Sequence, residues 1–385
     1  MESATQPMQQ ALALAQRAVG STSPNPAVGA VLVKDGKIVG SGFTQPPGDA
    51  HAEVVALREA GAQARGTAMY VTLEPCSHQG RTPPCVDAII AAGVAEVHIA
   101  TLDPNPAIDG QGKAALEHAG VHVTIGRPDS AESQQAQRLI EAFTKLVTTK
   151  LPFVTAKFAI SIDGKLATST GDSRWISGDE ARLEAHRLRA GSDAVMVGIG
   201  TALADDPRLT ARTGHALRSQ GEKPQRQPLR VVVDSHGRLP LRAAMLLEHG
   251  QTLVAVADAF RDTQEALRAA GAEVVMAAGE DGRVALPALL RLLGARDITS
   301  LLVEGGAELL GALFDQRLVD KVVAFIAPLV IGGGLALSAV GGRGASKVAD
   351  ALQLRGVRYE QVGRDMMVIG YPSGGGVKTA EGGKS

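Results

Sequence analysis

The sequence predicts two α/β domains in series, each built from a sheet with helices packed against it. Short apolar runs of strand length alternate with segments of helical periodicity, and the alternation starts again just after Lys150. The length of 385 residues also exceeds what one ordinary core encloses. We therefore expect one domain at residues 1–150, a second at 151–372, and a flexible tail rich in Gly and Lys at 373–385.

The elements of the first domain follow from periodicity and from turn residues. Apolar residues repeat at helical spacing over residues 8–19, and Asp35-Gly36 then joins the two strands of a hairpin. Further strands are expected at residues 69–73, 96–100 and 121–125. Further helices are expected at residues 52–60, ended by Gly61, from Cys85 after Pro83-Pro84 towards Gly93, and at residues 131–147.

The second domain repeats this alternation, and its last two strands indicate a mixed sheet. Its strands are expected at residues 153–160, 194–197, 229–233, 253–256, 273–276, 301–303, 321–326 and 366–369. One helix is expected from Ala307 to Phe314, directly after Gly305-Gly306. The polar and basic segment 213–228 is expected to be a surface loop whose charges face solvent.

The composition is that of a globular protein and gives no support to a nucleic-acid or membrane partner. Hydrophobic residues make up 45% and charged residues 21%, at a net charge of −1 and a pI of about 6.8. Aromatic residues, which stack on bases in nucleic-acid-binding proteins, are only 3%. No apolar run reaches the ~18 residues of a membrane span. We therefore expect a cytoplasmic protein without a structural disulfide.

A metal site is predicted from the only two cysteines of the chain. Cys76 and Cys85 follow His51 and Glu53 in the first domain. One imidazole and two thiolates are typical zinc ligands, and three protein ligands leave a fourth position open for water, as in catalytic sites. Glu53 is expected to carry a proton to and from that water. His78 is a rival ligand, but no partner follows it at zinc-finger spacing.

Helix ends are expected to support this site. His51 and Glu53 lie at the start of the predicted helix 52–60, so their side chains can converge only from its end. Cys85 opens the next helix, whose dipole we expect to stabilise its thiolate. His-x-Glu followed by Pro-Cys and a second Cys is the pattern of zinc nucleobase deaminases, which usually place two residues between the cysteines. Here eight residues separate them.

Two glycine-rich turns in the second domain are candidates for phosphate binding. Gly198-Ile199-Gly200 follows a strand, but Leu203 occupies the third glycine position of the dinucleotide fingerprint. The run from Val303 to Gly306 fits better, because it joins a strand to a helix N-terminus where backbone N–H groups can approach a phosphate. A plain turn is the alternative interpretation of this pattern.

Longer motifs in both halves resemble those of the bifunctional deaminase-reductase family of riboflavin biosynthesis. In the first half, the similar segments are His51-Ala52-Glu53, Thr72 to His78, Thr82 to Cys85 and Asp103 to Pro106. In the second half, they are Ser161 to Lys165, Asp172 to Ile176, Leu203 to Thr210 and Val303 to Gly306. The resemblance spans nearly the whole chain, and the eight-residue cysteine spacing is that of this family.

The resemblance implies a fold and two reactions. It implies an α/β chain with an N-terminal cytidine-deaminase-like three-layer domain and a C-terminal dihydrofolate-reductase-like domain. The first would use Zn²⁺ to hydrolyse an amino group of 2,5-diamino-6-ribosylamino-4(3H)-pyrimidinone 5′-phosphate. The second would use NADPH to reduce the ribosyl side chain to ribityl. The family also implies a homo-oligomer.

The resemblance further assigns roles to matching positions. In the deaminase, His51, Cys76 and Cys85 would hold zinc, Glu53 would shuttle a proton, and the substrate would contact Asn25, Arg81 and Asn105. In the reductase, Lys157 and Asp205 would be catalytic, and the cofactor would contact Ala159, Trp175, Thr201, Asp205, Ser235, Gly306, Ala307, Glu308, Leu309, Leu310, Gly311 and Ala312. The second substrate would contact Ser173, Arg189, Leu209, Arg212 and Glu304. Thr44 departs from the family, which often has a histidine there.

The sequence alone leaves three other functional interpretations open. A nucleic-acid editing deaminase would share the zinc chemistry but need a basic channel, which the net charge of −1 disfavours. A zinc-stabilised binding module would tolerate Glu53→Gln, whereas an enzyme would lose deamination and keep its zinc. A chain in which only one half is active is disfavoured, because the motifs are intact in both halves.

Overall fold

A computed structural model describes residues 2–80, 83–106, 108–212 and 226–373 of the chain. It divides into two compact units, the first of which runs to Lys150 while the second begins at Leu151. None of the helices in the described ranges is long and apolar enough to cross a membrane. Most of segment 213–228 and of the tail from 373 onward, for which the sequence predicted a surface loop and a flexible end, lies outside the described residues.

The first unit contains one sheet of mixed direction. Its strands are β1 (Gly29–Lys34), β2 (Lys37–Phe43), β3 (Ala68–Val71), β4 (Glu96–Ile99) and β5 (His122–Ile125). Their order across the sheet is β2-β1-β3-β4-β5, with β1 antiparallel to both neighbours and β3, β4 and β5 parallel. The predicted hairpin is confirmed: Asp35 and Gly36 have φ of 50° and 73°, which a tight turn between twisted strands requires.

Helices cover both faces of this sheet, so the predicted three-layer architecture is confirmed. They are α1 (Glu2–Ala18), α2 (Ala52–Ala60), α3 (Cys85–Ala92), α4 (Gln111–His118), α5 (Ala131–Leu139) and α6 (Glu141–Thr149). Alternate residues of β1 face opposite cores: Leu32 packs with α2, α3 and α4, whereas Val31 packs with α1 and α5. This alternation is what a sheet buried on both faces needs.

One expectation for this unit is wrong, because residues 131–147 form two helices and not one. The chain turns at Ile140, which has φ −109° and ψ 12°. Ala136 of α5 packs in the core shared with α1, whereas Ile140 packs in the core on the other side of the sheet. A straight helix cannot place both side chains in these cores, so the break follows from packing.

The second unit is built on a larger mixed sheet, as the sequence predicted. Its strands are β6 (Phe153–Ser161), β8 (Ala194–Gly198), β9 (Leu229–Val233), β10 (Thr252–Val256), β11 (Glu273–Met276), β12 (Ser300–Val303), β13 (Lys321–Ala327), β15 (Leu354–Val362) and β16 (Asp365–Pro372). Across the described part of the unit they run in the order β11-β10-β9-β8-β12-β6-β13-β16-β15. Only the pairings of β16 with β13 and β15 are antiparallel in this sheet.

Three strands of this unit were missed from the sequence. Two of them, β7 (Lys165–Ala167) and β14 (Leu337–Ser338), are short and pair only with each other. The third, β15, lies at the edge of the large sheet and is exposed along most of its length. Its polar residues therefore show no alternation that could have marked it as a strand.

Helices also cover both faces of the large sheet. They are α7 (Asp179–Ala190), α8 (Ile199–Asp205), α9 (Ala244–Leu247), α10 (Arg261–Ala269), α11 (Leu286–Gly294) and α12 (Ala307–Asp315). Apolar residues of α11 and α12 form one core with the sheet, and those of α8, α9 and α10 form the other. Strands β8, β9 and β12 are parallel, so their carboxyl ends lie at the same edge of the sheet. Open parallel sheets bind ligands at this edge.

Candidate active sites

Three side chains of the first unit converge as the sequence predicted for a metal site. His51 Nδ1 lies 3.6 Å from Cys76 Sγ and 3.3 Å from Cys85 Sγ, and all three atoms lie within 4.8 Å of one another. A tetrahedral zinc with ordinary bond lengths separates neighbouring nitrogen and sulfur ligands by about 3.6 Å. The spacing and the donor types therefore fit zinc. His78 does not belong to this group.

Local structure brings the three ligands together. His51 is the N-cap of α2, Cys76 follows β3, and Cys85 is the first residue of α3. The backbone N–H of Cys85 donates to Cys76 Sγ at 3.3 Å. The N-terminus of α3 therefore also acts on Cys76, and the expectation that its dipole favours the Cys85 thiolate stays a prediction.

The charges in this ligand set are strongly coupled. The pKa of the Cys76 thiol is lowered to about 4, chiefly by a hydrogen bond from the Cys85 side chain and then by His51, against the effect of burial. The neighbouring Cys76 and burial raise the pKa of Cys85. A divalent cation offsets both negative charges, so we expect both sulfurs to bind it as thiolates.

Glu53 has the environment of a proton carrier. It lies in the first turn of α2, two residues after His51, and the residue is 4% exposed. Burial, and then the negative charge of Cys76, raise the pKa of Glu53 to about 7. A carboxyl group with this pKa can both accept and release a proton near neutral pH.

The expected contacts for the first substrate are less fully defined. Asn105 lies in the loop after β4, where its N–H donates to Asp103 Oδ1 at 2.8 Å. Asn25 lies in the turn before β1, where Thr22 accepts from its backbone. Arg81 lies outside the described residues. The Thr44 hydroxyl accepts from the backbone N–H of Val28 at 3.2 Å.

The second unit has a long cleft of about 1090 Å³ at the edge where β8, β9 and β12 end. This volume suits a dinucleotide with a small second ligand. Most residues that the resemblance assigned to the reductase line it: Lys157, Ala159, Ser173, Trp175, Arg189, Thr201, Asp205, Leu209, Ser235, Glu304, Gly306, Ala307, Glu308, Leu309 and Ala312.

Three assigned residues do not line the cleft. Leu310 and Gly311 are buried on the side of α12 that packs against the rest of the unit. Helical periodicity explains this, since only part of a continuous stretch along a helix can face one ligand. Arg212 is exposed, and its backbone N–H donates to His186 Nδ1 at 3.3 Å.

The cleft is lined by a buried carboxylate that is held between two cations. Glu304 accepts from Arg189 through both carboxylate oxygens, with Nη2 to Oε2 at 2.9 Å, and Lys157 Nζ lies 3.3 Å from Oε2. Burial opposes ionisation, but Lys157 and Arg189 outweigh it and lower the pKa of Glu304 to about 2. Arg189 is therefore already paired, and its charge is not fully available to a substrate phosphate.

One aromatic side chain stands open to the cleft. Trp175 is 68% exposed, and the Arg182 guanidinium carbon lies 4.4 Å from its ring centroid. An exposed aromatic face beside a cation offers a stacking surface for a planar ring. Trp175 is also the only tryptophan of the chain, so its fluorescence can report ligand binding in this unit.

Sequence reasoning missed a group of basic residues that line the cleft near Ser235. His236, Arg238 and Arg283 line the cleft near Ser235, whose hydroxyl accepts from the Val284 N–H at 3.2 Å. The signal in the sequence was the run Ser235-x-x-Arg238, which begins two residues after β9 ends, at the carboxyl end of a parallel strand. Arg283 comes from a separate segment, so the sequence alone could not join it to this group.

A site with two sulfur ligands and one nitrogen ligand beside a buried carboxyl group is that of a zinc hydrolase, and the cleft of the second unit is that of a nucleotide-dependent oxidoreductase. The family models agree with this class. The cytidine and deoxycytidylate deaminase zinc-binding region matches residues 1–101. The RibD C-terminal domain matches residues 152–368.

Individual relatives cover almost the full length. The riboflavin biosynthesis protein RibD of Aquifex aeolicus is 40% identical over 362 residues, which are 94% of this chain and 96% of that protein. The solved structure of Acinetobacter baumannii RibD (form 1) is 37% identical, with a TM-score of 0.85 over 97% of this chain and 99% of its own. A Thermotoga maritima deaminase/reductase structure is 34% identical, with a TM-score of 0.79 over 96% and 98%.

The chain belongs to the RibD family of riboflavin biosynthesis proteins. It is a bifunctional enzyme with a zinc-binding deaminase domain and an NADPH-dependent reductase domain. The predicted family, fold class, enzyme class and both cofactors are thereby confirmed. The alternative of a binding module without turnover is set aside, because the relatives are enzymes.

Proposed function

We propose that His51, Cys76, Cys85 and Glu53 deaminate 2,5-diamino-6-ribosylamino-4(3H)-pyrimidinone 5′-phosphate. The observation that carries the proposal is the convergence of Nδ1 and two sulfurs at 3.3 and 3.6 Å beside a carboxyl group whose pKa is about 7. Bound zinc supplies a Lewis acid that makes water a nucleophile at neutral pH. Glu53 takes the proton from water and delivers it to the departing ammonia.

Glu53→Gln tests this role. The amide keeps the shape of the side chain but cannot exchange a proton, so we expect ammonia release to fall at least about a hundredfold while zinc content is retained. Glu59→Gln is the matched control, because Glu59 lies exposed on the same helix and accepts from Ser41. Unchanged ammonia release in Glu53→Gln would contradict the assignment.

The cleft of the second unit supports reduction of the deaminated ribosyl compound. NADPH supplies the hydride, which adds to C1′ of a ring-opened imine, while a proton is required at the nitrogen. The Lys157 ammonium lies in this cleft, 3.3 Å from Glu304 Oε2. We assign it to proton delivery, and we assign the open face of Trp175 to the cofactor.

The basic group beside Ser235 supports NADPH in preference to NADH. A 2′-phosphate carries about two negative charges, which guanidinium groups bind in a forked geometry. The Arg238 side chain is 57% exposed, with Nε at 4.0 Å from Asp234 Oδ1, and Arg283 and His236 also line the cleft near Ser235. These three residues are therefore proposed to contact the 2′-phosphate.

Arg238→Ala tests this selectivity. We expect the KM for NADPH to rise about tenfold, with little change for NADH, because only NADPH presents the phosphate. Calorimetric binding of 2′,5′-ADP and of 5′-AMP gives a second readout, in which only the first should weaken. Arg261→Ala is the control, since Arg261 pairs with Glu265 in α10, and its side chain is 89% exposed. Equal loss for both cofactors would contradict the proposal.

We further infer a cytoplasmic homo-oligomer. A reducing compartment keeps Cys76 and Cys85 as the free thiols that a metal requires. Among the described strands, β15 leaves one edge of the large sheet open to a second copy of the chain. Light scattering of purified protein measures the oligomeric state, and a monomer at micromolar concentration would contradict this part.

A further inference from the structure

Glu74 is a buried carboxylate that binds the backbone of a distant segment. The residue is 3% exposed. Oε2 accepts from the backbone N–H groups of Asp103 at 3.1 Å and Gly110 at 3.0 Å, and Oε1 accepts from that of Lys113 at 2.9 Å. The N–H of Glu74 also donates to Thr101 O at 3.0 Å. Both the backbone and the side chain of Glu74 therefore hold the segment that follows β4.

The three donors close a loop around a proposed substrate contact. Asp103 and Gly110 lie at the two ends of segment 103–110, which is described except for residue 107, and Lys113 lies in the first turn of α4. Asn105 lies inside this loop. The first N–H groups of a helix lack helical acceptors, and a carboxylate satisfies them well. Glu74 thus fixes both ends of the loop to one point.

A glycine brings α4 to the same point by an independent contact. A Cβ on Gly112 would lie 2.1 Å from the carbonyl oxygen of Pro75 and 3.1 Å from Glu74 Cγ. Only glycine permits so close an approach. Because Pro75 directly precedes Cys76, this contact joins α4 to the backbone of a metal ligand.

We propose that Glu74 is a positioning residue for deamination, which sets the distance between the metal ligand Cys76 and the substrate contact Asn105. The inference rests on the proposed function, because Asn105 binds substrate only if this site acts on the pyrimidine. It does not require Glu74 to touch metal or substrate. Its consequence is that disturbing Glu74 weakens substrate binding more than it changes the zinc site.

Glu74→Gln is the direct test in the full chain. The amide replaces one acceptor oxygen with an NH₂ donor that faces backbone donors, so the loop is expected to shift. We expect kcat/KM for ammonia release to fall about tenfold to a hundredfold, mainly through KM, with zinc content retained. NADPH oxidation with the deaminated substrate should be unchanged and serves as the folding control. Glu117→Gln is the matched control, because Glu117 lies on α4 and pairs only at the surface with Lys113.

Gly112→Ala provides a second variant that leaves Glu74 intact. We expect the same rise in KM, and this variant decides the matter if Glu74→Gln does not accumulate as folded protein. An unchanged KM, with ammonia release falling only in proportion to lost zinc, would overturn the proposal and leave Glu74 a structural residue. Absence of ammonia release from the wild-type protein would instead overturn the proposed function.

Discussion

At the scale of single residues, Glu304 provides the negative charge that pairs with two cations in the reductase cleft. Its side chain is 9% exposed and is paired with Arg189 and Lys157. A carboxylate in this position is held ionised by two cations that would themselves be costly to bury alone. The arrangement supplies a fixed negative charge beside the ammonium group that we assign to proton delivery.

The stability of the second unit should depend on this carboxylate at acid pH. The pKa of Glu304 is about 2 in the folded chain, against an ordinary value of 4.5. Because the folded value is lowered, the contribution of Glu304 to stability is complete above the ordinary pKa and is lost as pH falls towards 2. We expect the difference in unfolding free energy between wild type and Glu304→Gln to shrink from about pH 5 to about pH 2.5.

Urea unfolding followed by Trp175 fluorescence measures this difference, since Trp175 lies in the second unit. Glu265→Gln is the control, because Glu265 is exposed and pairs with Arg261 at the surface. We expect its difference from wild type to be small throughout. A difference for Glu304→Gln that stays constant down to the acid end would contradict the lowered pKa.

Lys157 gives a second residue-scale prediction. Lys157→Ala removes the ammonium 3.3 Å from Glu304, so we expect NADPH oxidation to fall at least about a hundredfold with ammonia release unchanged. Quenching of Trp175 fluorescence by NADPH should persist. Lys347→Ala, at an exposed position, is the control. Loss of cofactor binding together with turnover would show that Lys157 acts in binding and not in proton delivery.

The residue scale also shows what the sequence could and could not predict. His51, Glu53, Cys76 and Cys85 were predicted because each belongs to a short motif whose chemistry is recognisable. The pairing of Arg189 with Glu304 was not predicted, because the two residues lie 115 positions apart and either alone suits a surface position. The role of Glu74 was missed for the same reason, because its backbone donors are distant in the sequence and are brought to it only by folding.

At the scale of elements, the sequence placed most of the buried strands but gave no bounds for five helices that also bury a face, α4, α7, α8, α10 and α11. Strand β9 and helix α2 begin and end where the periodicity placed them. Strand β15 was missed because it is exposed, and the division of α5 from α6 was missed because it depends on two cores that meet only in the folded chain. Hydrophobic periodicity reflects which residues are buried. It therefore cannot locate a strand that is mostly exposed, or a helix break at which the buried side changes from one face of the sheet to the other.

Helix α12 offers a prediction at this scale. A Cβ on Gly311 would lie 2.4 Å from backbone atoms of both Gly341 and Gly342, so Gly311→Ala must separate the helix from that segment. We expect a loss of about 1–3 kcal/mol in unfolding free energy. Gly200→Ala in α8 is the control, because no atom beyond its chain neighbours and its own helix backbone lies within 4 Å of the added carbon. Equal stability of the two variants would contradict the close packing of α12.

At the scale of the whole molecule, the chain contains two active sites, one in each unit. The metal ligands and Glu53 all lie before Lys150, and the residues that line the reductase cleft all lie after Leu151. The two activities are therefore expected to be separable by treatments that affect only one site.

Zinc removal tests this central claim most directly. Ammonia release and NADPH oxidation would be measured separately on chelated and zinc-restored protein, with the diamino substrate and its deaminated product respectively. We expect chelation to abolish ammonia release, zinc to restore it, and NADPH oxidation to remain unchanged. Ammonia release that survives full removal of zinc, or loss of both activities in proportion to the metal, would contradict two independent active sites in one chain.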